Sequence, residues 1–353
     1  MTQTWRSRSL VPHALSVFLA AAGTLVPAVM PAQASDMFQS LEDPVSPLFD
    51  KAKGAVVKVE SGDQGMLLAG TGFFIDNQGT VLTSSTVIGD NTSVRVTVNG
   101  IGLDAKILGN DPRSGLAMLK VNYDDSPFLP LGRSIDLKTG DSVLAVGYPL
   151  NLPVSSSQGP VSGFSVHYLA RFFATTHIHA NVPISPGEVG SPLLNGAGEV
   201  VGLVVPSPDD GRSIYALPVE AMEKIMGDFA QYGHARHGWA GVLVIQVPDM
   251  EQDGRTVQVA ELVPGTPASK SGILAGDTVM RINSTEIYRP ADVLDASFFS
   301  HVGGAMNVLV RRQDKLLNYT FAVMERPQNP AVIVPATADN SGHPSNHVMA
   351  KSP

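Results

Sequence analysis

Gly70-Thr71-Gly72-Phe73-Phe74-Ile75 runs through the turn Asp76-Asn77-Gln78-Gly79 into Val81-Leu82-Thr83-Ser84-Ser85-Thr86-Val87-Ile88, and this stretch decides the fold. It holds two short runs of apolar and β-branched residues, separated by residues that favour tight turns. The same grammar continues on both sides. Ala55–Glu60, Ser93–Val98, Ala105–Leu108, Leu116–Val121, Ser142–Val146, Val161–Val166, His177–Val182, Ser191–Leu194 and Val200–Val205 all read as strands of four to six residues. Turns fall at Val98-Asn99-Gly100 and Asn195-Gly196-Ala197-Gly198, and Gln158-Gly159-Pro160 reads as a loop. Short strands at such close spacing predict an all-β sandwich or barrel.

One helix follows. Val219, Met222, Ile225, Met226 and Phe229 recur on one helical face, Pro218 stands at its start and Gly233 at its end. A second β-rich unit then spans Val242–Val247, Thr256–Leu262, Asp277–Ile282, Asn307–Arg311 and Asn318–Met324, with short helices near Ala268–Ser271 and Ala291–His301. Beyond Arg326 the chain is rich in Pro, Asn, Ser and His and is expected to be a disordered tail over residues 327–353.

Composition narrows the function. The 353 residues are 43% hydrophobic and 16% charged, enough apolar content for about two folded domains. A net charge of −8 without a Lys/Arg run disfavours nucleic acid, which demands clustered positive charge. The absence of Cys excludes disulfides, a thiol nucleophile and thiolate metal sites. Arg6 and Arg8 precede an apolar stretch from Leu10 to Met30, and Ala32-Gln33-Ala34 fits a cleavage site. Residues 1–34 are therefore expected to be a secretory signal peptide, followed by an N-terminal segment over 35–50. No later run approaches a membrane span, so an exported chain with no span after signal cleavage is expected.

Three marked segments recur in a telling order: Gly70–Ile88, Asp111-Pro112-Arg113-Ser114-Gly115-Leu116-Ala117-Met118-Leu119-Lys120-Val121, and Ser185-Pro186-Gly187-Glu188-Val189-Gly190-Ser191-Pro192-Leu193-Leu194-Asn195. Their order resembles the trypsin-like domain of the HtrA/Deg family of periplasmic serine proteases. Val263-Pro264-Gly265-Thr266-Pro267-Ala268, Ser271-Gly272-Ile273-Leu274-Ala275-Gly276-Asp277 and Arg281-Ile282-Asn283 resemble that family's PDZ domain. The resemblance implies a mainly β fold: a trypsin-like double six-stranded β-barrel over residues 51–230, then an α+β PDZ domain over 238–326. It implies the periplasm as compartment, no cofactor, and a homo-oligomer, a trimer by resemblance, with Phe38 and Phe49 as candidate contacts.

Laid onto this sequence, the family's catalytic histidine falls at Thr86, its aspartate at Gly115 and its nucleophilic serine at Val189. Val189 has no lone pair to attack a carbonyl, and Thr86 cannot act as an imidazole base. The expectation is a pseudoprotease, with the amides at Gly187 and Val189 as a remnant of the oxyanion hole. Two alternatives stay open. Ser185 or Ser191 with His177 or His179 could form a relocated catalytic set. His177 and His179, two apart on one strand face, could also hold a metal ion, although no third ligand is identifiable.

The resemblance puts a PDZ carboxylate-binding loop at Trp239-Ala240-Gly241-Val242. Leu294 and Phe298, four apart on a helix, are expected to wall the groove. The partners implied are polypeptide C-termini or unfolded proteins, or an active HtrA paralogue. His234 and His237 flank the junction between units and read as a solvated hinge.

Overall fold

A computed structural model describes residues 45–62, 67–168, 171–207, 211–248 and 253–327. The expected signal peptide, Phe38 and nearly all of the expected tail lie outside these residues. The chain enters through helix α1 (Val45–Ala52), whose Val45, Leu48 and Phe49 pack against the buried layer described below.

Six strands follow: β1 (Val56–Ser61), β2 (Leu68–Phe74), β3 (Thr80–Ser84), β4 (Val94–Val98), β5 (Ile101–Asp111) and β6 (Leu116–Val121). They close into a barrel in the order β1-β2-β3-β6-β5-β4. Closure leaves no open sheet edge, and a closed barrel buries one face of every strand. The β4–β5 hairpin shows how locally this is written. Val98 pairs with Ile101 around Asn99 and Gly100, whose φ values of 49° and 81° are those of a two-residue turn. A short helix α2 (Ser85–Ile88) leaves the end of β3, with the Ser84 hydroxyl accepting from Thr86 N.

The second barrel takes β7 (Ser142–Gly147), β8 (Ser155–Tyr168), β9 (Arg171–Ala180), β10 (Pro192–Leu194), β11 (Val200–Val205) and β12 (Ile214–Pro218), in the order β10-β11-β12-β9-β8-β7. Here the sequence reading needs one correction. Gln158, Gly159 and Pro160 are not a loop; they pair with Leu144, Val143 and Ser142 inside the long strand β8. Pro160 sits in the last pair of that β7–β8 ladder, where a proline's missing N–H costs least.

Each barrel has its own core: Val57, Val59, Phe74, Val81, Val96 and Leu119 in the first, Val143, Ile178, Leu193, Val201, Val204 and Ile214 in the second. Between them lies a third layer, with Phe73, Leu82, Leu116, Leu144, Val146, Leu194, Leu203 and Leu217 all buried. Helix α3 (Val219–Tyr232) covers this layer with Val219, Met222, Ile225 and Phe229, as its periodicity predicts. Gly233 ends it in the left-handed conformation, its N–H bonded to Phe229 O.

The last unit is a sheet in the order β14 (Val242–Gln246), β15 (Val257–Leu262), β16 (Thr278–Ile282), β18 (Ala305–Arg312), β19 (Lys315–Ala322), with β17 (Thr285–Glu286) beside β16. Helices α4 (Pro267–Ser271) and α5 (Pro290–Phe298) accompany it, and a two-stranded ribbon joins β13 (Gly238–Trp239) to β20 (Met324–Glu325). The unit's core is Val257, Val259, Ile273, Val279, Ile282, Val293, Met306, Val308 and Val310.

Helix α5 also fastens this unit to the second barrel. Asp295 accepts from Thr175 Oγ1 at 2.6 Å, Thr176 N at 2.7 Å and Thr176 Oγ1 at 2.6 Å, all on β9. Hydrogen bonds to a carboxylate contribute about 1.5–3 kcal/mol each, and cutting three at once strands their donors. Asp295→Ala is therefore expected to lower the unfolding free energy by about 2–4 kcal/mol in a urea titration. Asp295→Asn, which keeps one acceptor oxygen, should lose clearly less.

Candidate functional site

The three segments singled out in the sequence meet at the seam between the barrels. Ser85 N donates to Gly115 O at 2.8 Å, so the helix that carries Thr86 lies directly against the 111–115 turn. The 187–191 loop closes on the same place from the second barrel. A Cβ on Gly190 would fall 2.1 Å from Thr71 O, 2.7 Å from Thr83 Oγ1 and 2.9 Å from Ser84 N, and its φ is 90°. Only glycine allows that approach. Thr71, fully buried, ties the loop down: its N–H donates to Val189 O at 2.9 Å and its hydroxyl donates to Gly187 O at 2.8 Å.

Thr86, Gly115 and Val189 stand at this seam. The Thr86 hydroxyl is hydrogen-bonded to Ser84 Oγ at 2.9 Å. Gly115 has no side chain and a φ of 84°, and a Cβ there would meet Val205 Cγ1 at 3.0 Å. The Val189 side chain packs against the first barrel's core, which includes Val87 and Ile88. Around it the loop is held by its own backbone: Glu188 N donates to Ser185 O, Gly190 N to Val204 O and Ser191 N to Glu188 O. The amides of Gly187 and Val189 make no hydrogen bond among the described residues, which leaves two N–H groups for an acceptor.

Glu188 is buried, and its carboxylate accepts from Ser185 N at 2.5 Å. Burial pushes its carboxyl above the ordinary range, against the pull of that hydrogen bond. Ser191 is fully buried, and its Oγ has no partner among the described residues.

The two histidines of β9 are engaged elsewhere. His177 is buried, donates from Nδ1 to Thr175 O at 2.8 Å and stacks on Phe173 with centroids 4.0 Å apart. His179 Nε2 meets Ser213 Oγ at 3.1 Å, and its ring stacks on Tyr215 at 4.7 Å. Neither is hydrogen-bonded to Ser185 or Ser191. Among the described residues no cluster of three His, Asp or Glu side chains surrounds them.

In the sheet unit, Trp239-Ala240-Gly241-Val242 leads into β14, the edge strand of the sheet, and α5 lies against that strand. Ala240 is buried, and Gly241 has a φ of 75° with Thr266 packed against it. An edge strand flanked by a helix can accept an extended peptide as one more strand. Leu294 is half-buried. Phe298 is only 2% exposed and belongs to the layer between the barrels, with its ring 5.7 Å from His237 and 5.0 Å from Phe299. It packs toward the barrels rather than presenting a surface to a peptide.

The junction also departs from the solvated hinge read in the sequence. His234 is exposed, but the His237 side chain is 11% exposed and donates from Nε2 to Asp111 Oδ2 at 2.9 Å. Burial opposes the Asp111 charge. The hydrogen bond and charge of His237, with the Ser114 bonds, nevertheless hold its carboxyl below the usual range. Asp111, Asp295 and Arg326 thus matter at contacts no sequence pattern marks, because their partners His237, Thr175 and, again, His237 lie 126, 120 and 89 residues away.

The sequence matches the trypsin-like peptidase domain over residues 70–203 and the PDZ domain over residues 241–323. It is 33% identical over 273 residues to a probable periplasmic serine endoprotease, DegP-like, of Pseudomonas fluorescens, covering 73% of this chain and 56% of that protein. A putative serine protease HhoA of Synechocystis is 29% identical over 343 residues, covering 89% of this chain and 86% of its own length. The chain spans about half the length of the DegP-like relatives it matches. Among solved structures, the HtrA-type protease AlgW with a tripeptide superposes with a TM-score of 0.70 at 24% identity, covering 80% of this chain and 97% of that one.

Burial lowers the His177 pKa from 6.5 to about 4, with the Thr175 carbonyl pulling the other way. Between these values the unfolded chain binds a proton that the folded chain refuses, so stability present above pH 6.5 is lost as pH falls toward 4. The loss reaches up to about 3 kcal/mol. Urea titrations at pH 7, 6, 5 and 4 should show that slope, and His177→Phe should flatten it whatever its effect at pH 7.

Proposed function

We propose, for a chain that joins a trypsin-like domain of the HtrA/DegP family to a PDZ domain, that it works by holding polypeptides rather than by cutting them. The observation that carries this reading is Val189, an alkyl side chain packed on the barrel core at the position where the resemblance puts the nucleophile. Thr86 and Gly115, at the other two positions of the expected triad, supply neither a base near neutral pH nor a carboxylate to orient one. Enzymes that lose triad members retain about 10³–10⁴-fold acceleration over water, too little for useful peptide hydrolysis.

The binding element in this reading is the edge of β14 beside α5, with Trp239, Ala240, Gly241 and Val242 receiving a chain terminus and Leu294 flanking it. The ligands are polypeptide C-termini or unfolded proteins, and an active protease of the same family is a further candidate partner. Peptidase and PDZ units are taken as residues 51–230 and 238–326, in an exported chain assembled as a homo-oligomer. The periplasm as compartment is supported by the printed names of the relatives.

A second reading rests on those same names, which call the relatives serine endoproteases. It requires a hydroxyl other than residue 189, with Ser185 and Ser191 the nearest in sequence. Ser191 carries an unpartnered buried Oγ, which supports the idea, but neither serine has a hydrogen-bonded histidine.

The purified chain, incubated with unfolded casein and a serine-directed fluorophosphonate, is expected to give neither cleavage nor label. A labelled peptide with an apolar C-terminus is expected to bind by fluorescence anisotropy, to lose binding when its terminus is amidated, and to bind at least ~10-fold more weakly to Leu294→Glu. Casein cleavage blocked by the phosphonate would establish the second reading and remove the first.

A further inference from the structure

Helix α5 ends in a negative charge that nothing balances. The last carbonyls of a helix carry a partial negative charge, which a nearby Lys, Arg or His⁺ offsets. The last turn of α5 has no basic residue and carries Asp295 instead. Three donors reach that carboxylate, Thr175 Oγ1, Thr176 N and Thr176 Oγ1, and all three are neutral. Two of them fill Oδ1, while Oδ2 accepts only from Thr176 Oγ1 at 2.6 Å. A carboxylate has about four acceptor places, so one on Oδ2 stays open.

Asp295 lines a cavity of about 400 Å³, bordered by the end of α5, the 283–284 turn between β16 and β17, and residues 299–305. Among the described residues its walls contain no Lys, no Arg and no second carboxylate. The hydroxyls of Ser284 and Thr285 line it too and make no hydrogen bond among the described residues. Phe299 stands at one side, 44% exposed, with its ring held edge to face against Phe298 at 5.0 Å. An open carboxylate place, two hydroxyl acceptors and an aromatic ring therefore border one space, of a size that takes a small ligand group. The carboxylate repels an anion, and an apolar group would strip its water without replacing the hydrogen bond. A guanidinium answers every wall: it is always charged, it is planar and stacks on aromatic faces, and it carries five N–H donors.

We propose that this cavity binds a guanidinium, carried by an arginine side chain of a bound polypeptide. The cavity lies wholly within the PDZ unit, but the second barrel aims its carboxylate through Thr175 and Thr176. The guanidinium therefore binds more tightly when the PDZ unit is seated on the barrel, and by linkage favours that seating. None of Trp239 to Val242 lines the cavity, and the site does not depend on whether the seam at Val189 is catalytic.

The test is isothermal titration calorimetry of the purified full chain with acetyl-Gly-Arg-Gly-amide, whose only charge is the guanidinium. Saturable binding is expected, at least ~10-fold weaker for Asp295→Asn and ~2–5-fold weaker for Phe299→Leu. Asp295 also fastens the two units, so Phe299→Leu probes the cavity without cutting that contact. Asp104→Asn, which removes an exposed carboxylate of the first barrel, should leave binding unchanged. The citrulline peptide, of the same shape but uncharged, should not bind. Binding of the citrulline or lysine peptide as tight as that of the arginine peptide overturns the proposal. So does an affinity that Asp295→Asn and Phe299→Leu both leave unchanged, or no saturable binding at all. Methylguanidine separates the sources: tighter binding of the arginine peptide assigns a polypeptide, and equal binding assigns a free guanidino compound.

Discussion

Thr71 is where two barrels become one domain. Its amide and hydroxyl reach across the seam to Val189 O and Gly187 O, its hydroxyl accepts from Tyr148 N at 3.0 Å, and its carbonyl accepts from Thr83 Oγ1 at 2.7 Å. A single buried threonine thus makes four hydrogen bonds to three chain segments. Without those bonds the 187–191 loop would expose buried carbonyls, and the apolar layer between the barrels would lose its lid. The seam, whatever its chemistry, exists only while this loop is held against β3.

The same constraint means that the fold at the seam does not rest on the side chains a catalytic set would need. Val189 adds its methyl groups to a core that already includes Val87 and Ile88, and Gly190 is fixed by contacts of its backbone with Thr71, Thr83 and Ser84. The scaffold depends on glycines, carbonyls and one threonine hydroxyl, not on a nucleophile or a base. Fold and activity are therefore carried by different atoms of the same segments.

Much of the architecture is legible in the sequence because it is local. Asn99-Gly100 forces a hairpin, the spacing of Val219, Met222, Ile225 and Phe229 forces an amphipathic helix, and Gly233 ends it. Misreadings arise where a residue's usual role yields to its surroundings. Gly159 and Pro160 are ordinary loop formers, yet here they finish a strand ladder. Phe298 has the spacing of a groove residue, but the neighbouring domain claims its ring. His237 and Asp295 are ordinary polar residues of a linker and a helix. Their partners Asp111, Thr175 and Thr176 lie in segments that only the folded chain brings near.

Gly115 carries a consequence for what its position can accept. Its positive φ and the 3.0 Å approach of Val205 mean that any side chain at this position arrives in a backbone shape that disfavours it by about 1–2 kcal/mol. Asn and Asp bear this conformation better than other residues, and β-branched side chains bear it worst. The same turn, from Asp111 to Leu116, anchors His237 through Asp111. Strain at residue 115 therefore acts on the turn that seats the domain junction.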